Sequence, residues 1–391
     1  MRIAIIGGGP SGILSAIMLK KKNPNYEVIL IEKEERLGKK IYVSGNGRCN
    51  LANNSVGEKL YHSYRHPIFT REIFENLEIL KTLQELGIDL RLEDNLWYPY
   101  TEHAKTVMDV FNYHLKKENI IVKNKTTMVD YCHKDNQIEV ILDKETLFVD
   151  KLVIACGGKS SSVHGSDGTI FDILKNHGYI VTPLYPGLVP IKIKEDVSTL
   201  KGIKIKCLVT LTQGEEIIYQ ENGEVLFKED GLSGIAIMNC SSLIARNIEN
   251  QNFDIHLDLF PHLSKDELLN MWIDKEQNGY PYLDGSLIGP LARYVENLTH
   301  TKGRKSKEEL KAVVNVVKNL SFTFDSLYSF KTSQVTVGGI CIDEIKENFE
   351  SRKENNIYIL GETLDNDGLC GGYNLMWCWA CALQFVNKLD K

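Results

Sequence analysis

Short apolar runs alternate with glycine-rich and polar segments at the start of the chain. Residues 3–6 (IAII) are typical of a buried strand, residues 13–19 (ILSAIML) of a helix, and residues 28–31 (VILI) of a second buried strand. A glycine-rich turn separates the first strand from the helix. This order of strand, tight turn, helix and strand predicts a βαβ unit.

The rest of the chain divides into segments of different character. Two capping boxes, Ser264 with Glu267 and Ser306 with Glu309, predict helix starts in the second half. Hydrophobic patterning predicts a helix over 70–86, strands over 120–150 and 151–158, a β-rich segment over 190–228, helices over 264–320, further strands after residue 332 and a final helix over about 374–389.

Composition narrows the class of protein. The 391 residues include 46 Lys and Arg against 52 Asp and Glu, which gives a net charge of −6 and no global attraction to nucleic acid or anionic membrane. No apolar run is long enough to span a membrane, and the N-terminus does not have the pattern of a signal peptide. We therefore expect a cytoplasmic protein whose nine cysteines are mostly free thiols. The cysteine and histidine spacing predicts no metal site.

The glycine-rich turn carries the first chemical signal. Gly7-x-Gly9-x-x-Gly12 follows a predicted strand and opens a predicted helix, and Glu32 ends the next strand. In a dinucleotide-binding unit these glycines allow the tight turn, the close approach of a pyrophosphate and the packing of helix on strand, while the acid binds the ribose hydroxyls. The spacing therefore predicts a dinucleotide site at this turn.

Two later strand ends distinguish FAD from NAD. Ala155-Cys156-Gly157-Gly158 and Gly361-Glu362 are further glycine-rich strand ends, as in flavoproteins of the two-dinucleotide-binding type. We therefore predict an α/β fold in which a Rossmann-like FAD domain, residues 1–186 and 331–391, is interrupted by an inserted β-rich subdomain (187–263) and a small helical subdomain (264–330). The chain has no second GxGxxG motif after a strand, so a nicotinamide donor, NAD(P)H, is expected to bind only transiently.

Several blocks resemble one family of flavoproteins. They are SGNGRCN at 44–50, with Gly38 and Lys40 before it, GLSG at 231–234, DLFP at 258–261, QVTVGG at 334–339, GETLD at 361–365 and GGYN at 371–374. Together they resemble the BaiN-like and YhiN-like bacterial flavoproteins, also described as the aminoacetone-oxidase family of FAD-binding enzymes. The resemblance covers nearly the whole chain. It departs from the family pattern at Leu96, Lys228, Asp230 and Cys370.

The resemblance and the motifs together define a predicted site. The residues expected to bind FAD are Gly7, Gly9, Pro10, Ser11, Gly12, Glu32, Lys33, Gly38, Lys40, Ser44, Gly45, Asn46, Gly47, Arg48, Cys49, Asn50, Met128, Ala155, Gly157, Gly158, Gly361, Glu362, Asp365, Gly371, Gly372, Tyr373 and Asn374.

Two of these residues are also predicted to be catalytic. Arg48 could hold a phosphate or stabilise an anionic reduced flavin, and Cys49 could donate a proton. The alternatives are a surface arginine in an ordinary glycine turn and a small buried hydrophobe.

The resemblance implies reduction of an activated C=C bond, in a steroid-like enone or in a uracil ring of ribosomal RNA. The alternatives are an amine oxidase that uses oxygen, a disulfide reductase that uses Cys378 and Cys381, and an RNA-docking factor. The CWAC pair lies in an apolar helical pattern, which favours core packing. Two basic stretches are the electrostatic support for RNA: Lys192, Lys194, Lys201, Lys204 and Lys206, then Lys302, Arg304, Lys305, Lys307 and Lys311.

Overall fold

The computed structural model describes residues 1–66, 78–250, 252–301 and 305–389. The chain separates into two compact units: unit 1 contains residues 1–187 and 330–391, and unit 2 contains residues 188–329.

The first part of unit 1 contains strands β1 (Arg2–Ile6), β2 (Glu27–Ile31), β3 (Ala52–Asn53), β4 (Tyr61–His62), β5 (Leu90–Glu93), β6 (Leu96–Pro99), β7 (Ile121–Lys123), β8 (Met128–Lys134), β9 (Gln137–Leu142), β10 (Thr146–Val149), β11 (Lys151–Ile154) and β12 (Tyr185–Gly187). Its helices are α1 (Pro10–Lys22), α2 (Lys39–Val43), α3 (Ile79–Glu85), α4 (Ala104–Lys117) and α5 (Thr169–Asn176).

Unit 2 contains β13 (Ile191–Ile193), β14 (Lys204–Gln213), β15 (Glu216–Phe227), β16 (Gly231–Ser233), α6 (Ile235–Arg246), β17 (Phe253–Asp258), α7 (Lys265–Gln277), α8 (Gly289–Thr299), α9 (Lys307–Val317) and β18 (Leu320–Leu327). The chain then completes unit 1 with β19 (Val335–Val337), β20 (Ile357–Ile359), β21 (Asp367–Gly368) and α10 (Tyr373–Lys388).

A parallel sheet in the order β20-β11-β1-β2-β7 forms the centre of unit 1. Ile5 of β1 lies between Leu30 of β2 and Val153 of β11, and all three side chains are buried. Runs of branched apolar residues are typical of parallel strands that are covered on both faces. Helices α1 and α10 pack against each other, and Ser11 Oγ donates a hydrogen bond to the Cys378 carbonyl at 3.1 Å. Ligands of such sheets bind at the carboxyl ends of the strands.

Unit 1 also contains smaller sheets. They have the orders β3-β6-β5, β10-β9-β8, β12-β19 and β21-β4. None of the described helices is long and apolar enough to cross a membrane.

Unit 2 is built on a closed barrel in the order β13-β16-β15-β14-β17-β18. Its barrel strands and its helices share one hydrophobic core, which contains Phe322 of β18 and Trp272 of α7. The prediction that 264–330 is helical was wrong for Leu320–Leu327, because this segment returns from the helices to pair with β17 and β13. The predicted boundary between residues 263 and 264 therefore lies inside one core.

The element predictions hold best where caps mark the ends. Both capping boxes are present, with Ser264 and Ser306 each accepting a hydrogen bond from the backbone of the glutamate three residues later. The final helix spans Tyr373–Lys388, against a prediction of 374–389. Of the helix predicted over 70–86, residues 79–85 form α3, and residues 70–77 lie outside the described residues.

Candidate functional site

The glycine turn between β1 and α1 leaves open space in front of the helix. A Cβ atom at Gly7, which has φ +107°, would lie 2.3 Å from the Ala155 carbonyl oxygen, and one at Gly12 would lie 2.0 Å from the Gly7 oxygen. Both positions therefore require glycine. A Cβ at Gly9 would meet no atom within 4 Å.

The start of α1 fits an anion. The helix begins at Pro10, its N-cap Gly9 makes no side-chain capping bond, and its first turn contains no acidic residue. Free N–H groups at a helix N-terminus, together with the helix dipole, favour a phosphate. The open space and the uncapped helix therefore fit the pyrophosphate of FAD.

Glu32 shapes the same turn. Its Oε2 accepts a hydrogen bond from the Gly8 N–H at 2.7 Å, and its Oε1 accepts one from the Glu34 N–H at 2.9 Å. A carboxylate can accept about four hydrogen bonds, so capacity remains for two ribose hydroxyls. Gly8 was missed in the sequence analysis, although a Cβ there would lie 2.3 Å from Leu37 Cδ2. The run of three glycines was the signal for it.

Two further predicted residues lie beside this turn. Lys33 Nζ pairs with Asp167 Oδ2 at 2.6 Å. Met128 is buried at the start of β8, two residues after Thr126, whose N–H donates to the Glu32 carbonyl at 3.1 Å. The charge of Lys33 is thus paired within the chain. Met128 follows a segment that is hydrogen-bonded to the end of β2.

Gly38 connects the turn to α2. Its N–H donates to the Gly8 carbonyl at 2.8 Å, and a Cβ there would lie 2.4 Å from Met108 Sδ. Gly38 has φ +70° and immediately precedes α2, which carries Lys40.

Lys40 and Glu362 meet although 322 residues separate them. Lys40 Nζ lies 2.6 Å from Glu362 Oε2 and 2.8 Å from Ser160 Oγ, and Ser160 Oγ donates to Glu362 Oε1 at 2.7 Å. The Thr336 N–H also donates to Glu362 Oε1, at 2.9 Å. The carboxylate of Glu362 therefore connects three segments of unit 1.

The glycines after β11 pack against this network. A Cβ at Gly158 would lie 2.3 Å from Thr336 Oγ1, and the Gly157 carbonyl accepts from Thr363 Oγ1 at 3.2 Å. Ser160 and Thr336 were missed as site residues. The QVTVGG block was the available signal for Thr336, and Ser160 had none.

Residues 44–50 form a tight loop with several left-handed residues. Gly45, Asn46, Gly47 and Cys49 have φ values of 55°, 56°, 86° and 60°, and Ser44–Gly47 form a short 3₁₀ turn. Left-handed backbone costs free energy at a residue other than glycine and persists where the surroundings hold it. Ser44 Oγ donates to the Ile41 carbonyl at 2.8 Å, which ties the loop to α2.

The two predicted catalytic residues lie in different surroundings. Arg48 lies 2.7 Å from Glu102 Oε2 through Nε and donates to Glu93 Oε2 at 3.0 Å through Nη2. Cys49 is fully buried, and burial raises the pKa of its thiol to about 12. Arg48 is therefore engaged by two carboxylates, and Cys49 stays protonated at neutral pH.

The same loop contacts the start of α10. With the Asn50 amide oriented to satisfy both groups, its oxygen accepts from the Gly372 N–H at 3.2 Å and its nitrogen donates to the Ala52 carbonyl at 3.0 Å. A Cβ at Gly372, which has φ +89°, would lie 2.8 Å from the Ala52 carbonyl oxygen and 2.6 Å from the Asn50 side-chain amide. The Gly371 carbonyl accepts from Asn53 Nδ2 at 2.9 Å. The SGNGRCN and GGYN blocks therefore form one contact.

Other residues of the GETLD and GGYN blocks form hydrogen bonds with neighbouring residues of the chain. Asn374 Nδ2 donates to the Gly368 carbonyl at 2.8 Å, and the Tyr373 carbonyl accepts from Tyr61 Oη at 3.0 Å. Asp365 is fully buried and accepts from the Tyr64 N–H at 2.9 Å.

Gly361, with φ +67°, lies against α1. A Cβ there would lie 2.5 Å from Ser11 Oγ, and its carbonyl accepts from Trp377 Nε1 at 3.1 Å. Gly361 therefore connects the end of β20 to both α1 and α10.

The Cys378 and Cys381 pair lies inside α10. Both thiols are free and buried, and burial raises the pKa of Cys378 to about 11 and that of Cys381 well above its usual range. Thiolate is the reactive form of cysteine, so these thiols are poorly suited to disulfide exchange at neutral pH. In the described parts of the chain, no group of three His, Cys, Asp or Glu residues is arranged to hold a metal ion.

Two curated proteins are similar to this chain over nearly its full length. The chain is 28% identical over 395 residues to a 3-dehydro-bile acid delta(4,6)-reductase of Clostridium scindens, which covers 97% of this chain and 96% of the relative. It is 26% identical over 412 residues to a ribosomal RNA dihydrouridine synthase of Escherichia coli K12, which covers 98% of this chain and 97% of the relative.

A flavocytochrome c3 fumarate reductase structure resembles the fold, with a TM-score of 0.50 and 11% identity over 99% of this chain and 77% of that chain. The family described as HI0933-like protein Rossmann domain matches residues 1–386. These findings confirm the predicted Rossmann-like α/β fold and the predicted oxidoreductase class, and they support FAD as the cofactor. The chain therefore belongs to the HI0933-like family, which is consistent with the predicted resemblance to BaiN-like and YhiN-like flavoproteins.

Proposed function

We propose that the chain is an FAD-dependent reductase of a carbon–carbon double bond conjugated to a carbonyl group, with NAD(P)H as the electron donor. The observation that carries this proposal is the near full-length similarity to relatives whose names describe two related reactions. Dihydrouridine differs from uridine by saturation of one C=C bond, and a delta(4,6)-reductase likewise acts on C=C bonds. The chemistry common to both names is therefore the addition of two hydrogens to a conjugated alkene.

The residues of unit 1 supply the means to hold FAD. The open space at Gly9 and the uncapped start of α1 fit the pyrophosphate, and Glu32 has acceptor capacity for the ribose. FAD, when bound, supplies the hydride chemistry that protein side chains lack. The net reaction adds a hydride from NAD(P)H and a proton across the C=C bond and releases NAD(P)⁺.

The predicted cytoplasmic location stays a prediction.

The sequence also offers Cys49 as a proton donor, and its thiol is fully buried. Its raised pKa of about 12 keeps the thiol protonated at neutral pH, as a donor must be. The same raised pKa makes proton transfer slower than from a group that titrates near pH 7. If Cys49 serves this role, Cys49→Ser should lower the rate of substrate reduction while FAD binding is retained.

We propose a small molecule rather than ribosomal RNA as the substrate. Three lysines of the first basic stretch are paired with carboxylates: Lys192 with Asp230 at 2.9 Å, Lys201 with Glu229 at 2.7 Å, and Lys204 with Glu224 at 3.1 Å. Paired lysines offer little charge for the release of counterions from a phosphate backbone.

The described lysines of the second basic stretch differ in exposure. Lys305 is buried, while Lys307 and Lys311 are exposed on α9. Lys302 and Arg304 lie outside the described residues. The pairing of Lys192, Lys201 and Lys204 is therefore the observation that favours a small substrate. The exposed lysines, Lys194, Lys206, Lys307 and Lys311, are tested against RNA by the experiment below.

Anaerobic turnover with a panel of acceptors tests the proposal. Purified protein is mixed with NADH or NADPH and with a steroid-type enone, unmodified ribosomal RNA, a small disulfide or oxygen in turn. We expect the enone to sustain nucleotide oxidation and to gain two hydrogen atoms by mass spectrometry. Turnover with oxygen alone supports an oxidase, turnover with the disulfide supports a role for Cys378 and Cys381, and turnover confined to RNA supports the dihydrouridine reaction. Each of these three results would overturn the small-molecule proposal.

A further inference from the structure

Four side chains of alternating charge form a closed ring beside the SGNGRCN loop. Arg48 Nη2 donates to both carboxylate oxygens of Glu93, at 3.1 and 3.0 Å, and Arg48 Nε lies 2.7 Å from Glu102 Oε2. Arg91 Nη2 pairs with both Glu93 and Glu102. Two guanidinium groups and two carboxylates thus close the cycle Arg48–Glu93–Arg91–Glu102, which carries no net charge.

The hairpin of β5 and β6 supports this ring. Arg91 pairs with Tyr98 across the two strands, and Glu93 pairs with Leu96. Residues two apart on a strand share a face, so Arg91, Glu93 and Tyr98 face the same side of the hairpin. The Arg48 guanidinium carbon lies 4.1 Å from the centroid of the Tyr98 ring, within the range of a cation–π contact.

The hairpin is joined to the loop by backbone bonds as well. The Leu51 N–H donates to the Trp97 carbonyl at 2.7 Å, and Ala52 of β3 pairs with Trp97 of β6. The loop therefore leads directly into a strand of the small sheet whose face carries the ring. Arg48 adds the side-chain connection between the loop and this sheet.

The charges of the ring are persistent. Hydrogen bonds from Arg91 and then from Arg48 lower the pKa of Glu93, so its carboxylate stays ionised at neutral pH. The hydrogen bond to Glu93 raises the pKa of Arg48. The guanidinium of Arg48 consequently has two carboxylates as close neighbours, and its charge is compensated where it lies.

We infer that the guanidinium of Arg48 acts as a fork: it bridges Glu93 and Glu102 and so fixes the SGNGRCN loop. Glu93, Glu102 and Arg91 are then positioning residues for the FAD site. This inference rests on the proposed FAD-dependent function. It replaces the expectation that Arg48 works as a free cation. A loop with left-handed non-glycine residues at Asn46 and Cys49 needs support from outside itself, and Arg48 lies between these two positions.

The two roles of Arg48 predict effects of opposite sign. If Arg48 stabilises an anion by charge, Glu93→Gln or Glu102→Gln removes a competing carboxylate, tightens FAD binding and makes the midpoint potential of the flavin more positive. If Arg48 is a fork, the same variants loosen the loop and weaken FAD binding. Arg48→Lys separates the roles again, because lysine keeps the charge but cannot bridge two carboxylates with a planar fork.

The experiment measures FAD affinity by fluorescence titration, the flavin midpoint potential, and the melting temperature of the FAD-free protein for Glu93→Gln, Glu102→Gln and Arg48→Lys. The matched control is Glu145→Gln, which breaks a 2.5 Å pair with Lys123 at a similar side-chain exposure, 42% against 39% for Glu93. We expect the dissociation constant for FAD to rise about three- to tenfold in the three ring variants, with no positive shift in potential. The control should match the parent protein.

Four results would overturn the inference. They are tighter FAD binding with a more positive potential in the glutamine variants, Arg48→Lys behaving like the parent, ring variants indistinguishable from the Glu145→Gln control, and an affinity loss that merely follows a general fall in melting temperature.

The readouts also separate this inference from the proposed function, because they need no substrate. A parent protein that reduces no double bond while the ring variants lose FAD affinity contradicts only the proposed function. A parent that binds no FAD contradicts both.

Discussion

At the scale of single residues, the three glycines of the GxGxxG turn differ in whether the fold leaves room for a side chain. Gly7 and Gly12 could not, because a Cβ would collide with backbone at 2.3 and 2.0 Å. Gly9 could, because a Cβ would meet open space, and its φ of −85° suits any residue. Packing within the fold therefore accounts for Gly7 and Gly12, whereas Gly9 has no packing contact that requires glycine and fits the proposed pyrophosphate site. Like Gly9, Glu32 fits a ligand, because its carboxylate can accept further hydrogen bonds beyond those from the Gly8 and Glu34 N–H groups.

Replacement of Glu32 tests this residue-scale account. Glu32→Ala removes the ribose acceptor and the bond that orders Gly8, so the dissociation constant for FAD should rise about 10- to 100-fold, as expected for the loss of hydrogen bonds to a charged group. Titration of FAD-free protein with FAD measures this. Glu35→Ala is the control, because Glu35 is exposed and paired only with Lys125 among the contacts of the described residues. Equal affinities of the two variants would contradict the assignment of Glu32.

At the scale of elements, the SGNGRCN loop contacts the start of α10. Their contact places Asn50 against Gly372 with no room for a Cβ. Sequence reasoning predicted both blocks from their glycines and from the family resemblance. It did not predict that Arg48 would be held by Glu93 and Glu102, because Glu93 and Glu102 lie more than forty residues away and have no motif of their own. Long-range ion pairs leave no local pattern in a sequence.

Two glycine variants at positions with similar φ angles test this contact. Gly372 has φ +89° and Gly87 has φ +95°, but a Cβ at Gly87 would meet no atom within 4 Å. Gly87→Ala should cost only the left-handed strain, about 1–2 kcal/mol in the free energy of unfolding. Gly372→Ala should cost about 2–4 kcal/mol, since overpacking adds to that strain, and should also weaken FAD binding. Urea denaturation and FAD titration measure both effects. Equal costs with normal FAD binding would count against the close contact.

At the scale of the whole molecule, unit 1 depends on residues from both ends of the chain. Lys40 and Glu362 meet across 322 residues, and Ser11 of α1 bonds to Cys378 of α10. The βαβ unit, the capping boxes and the final helix were predictable because each has a local periodicity or cap. Strand β18 was not predicted, because its residues 320–327 follow the last helix directly and its pairing with β13 and β17 is long-range. Ser160 was missed for the same reason, since only the fold brings it to Glu362, whereas Thr336 was missed although it lies in the QVTVGG block.

Single-turnover reoxidation tests the central claim most directly. The FAD-loaded protein is reduced with dithionite in the absence of oxygen and then mixed with one equivalent of a steroid-type enone, while flavin absorbance and product mass are followed together. The account predicts that oxidised flavin returns as one equivalent of enone gains two hydrogen atoms. Flavin that stays reduced until oxygen is admitted, with the enone unchanged, would contradict the claim that this chain reduces a carbonyl-conjugated double bond.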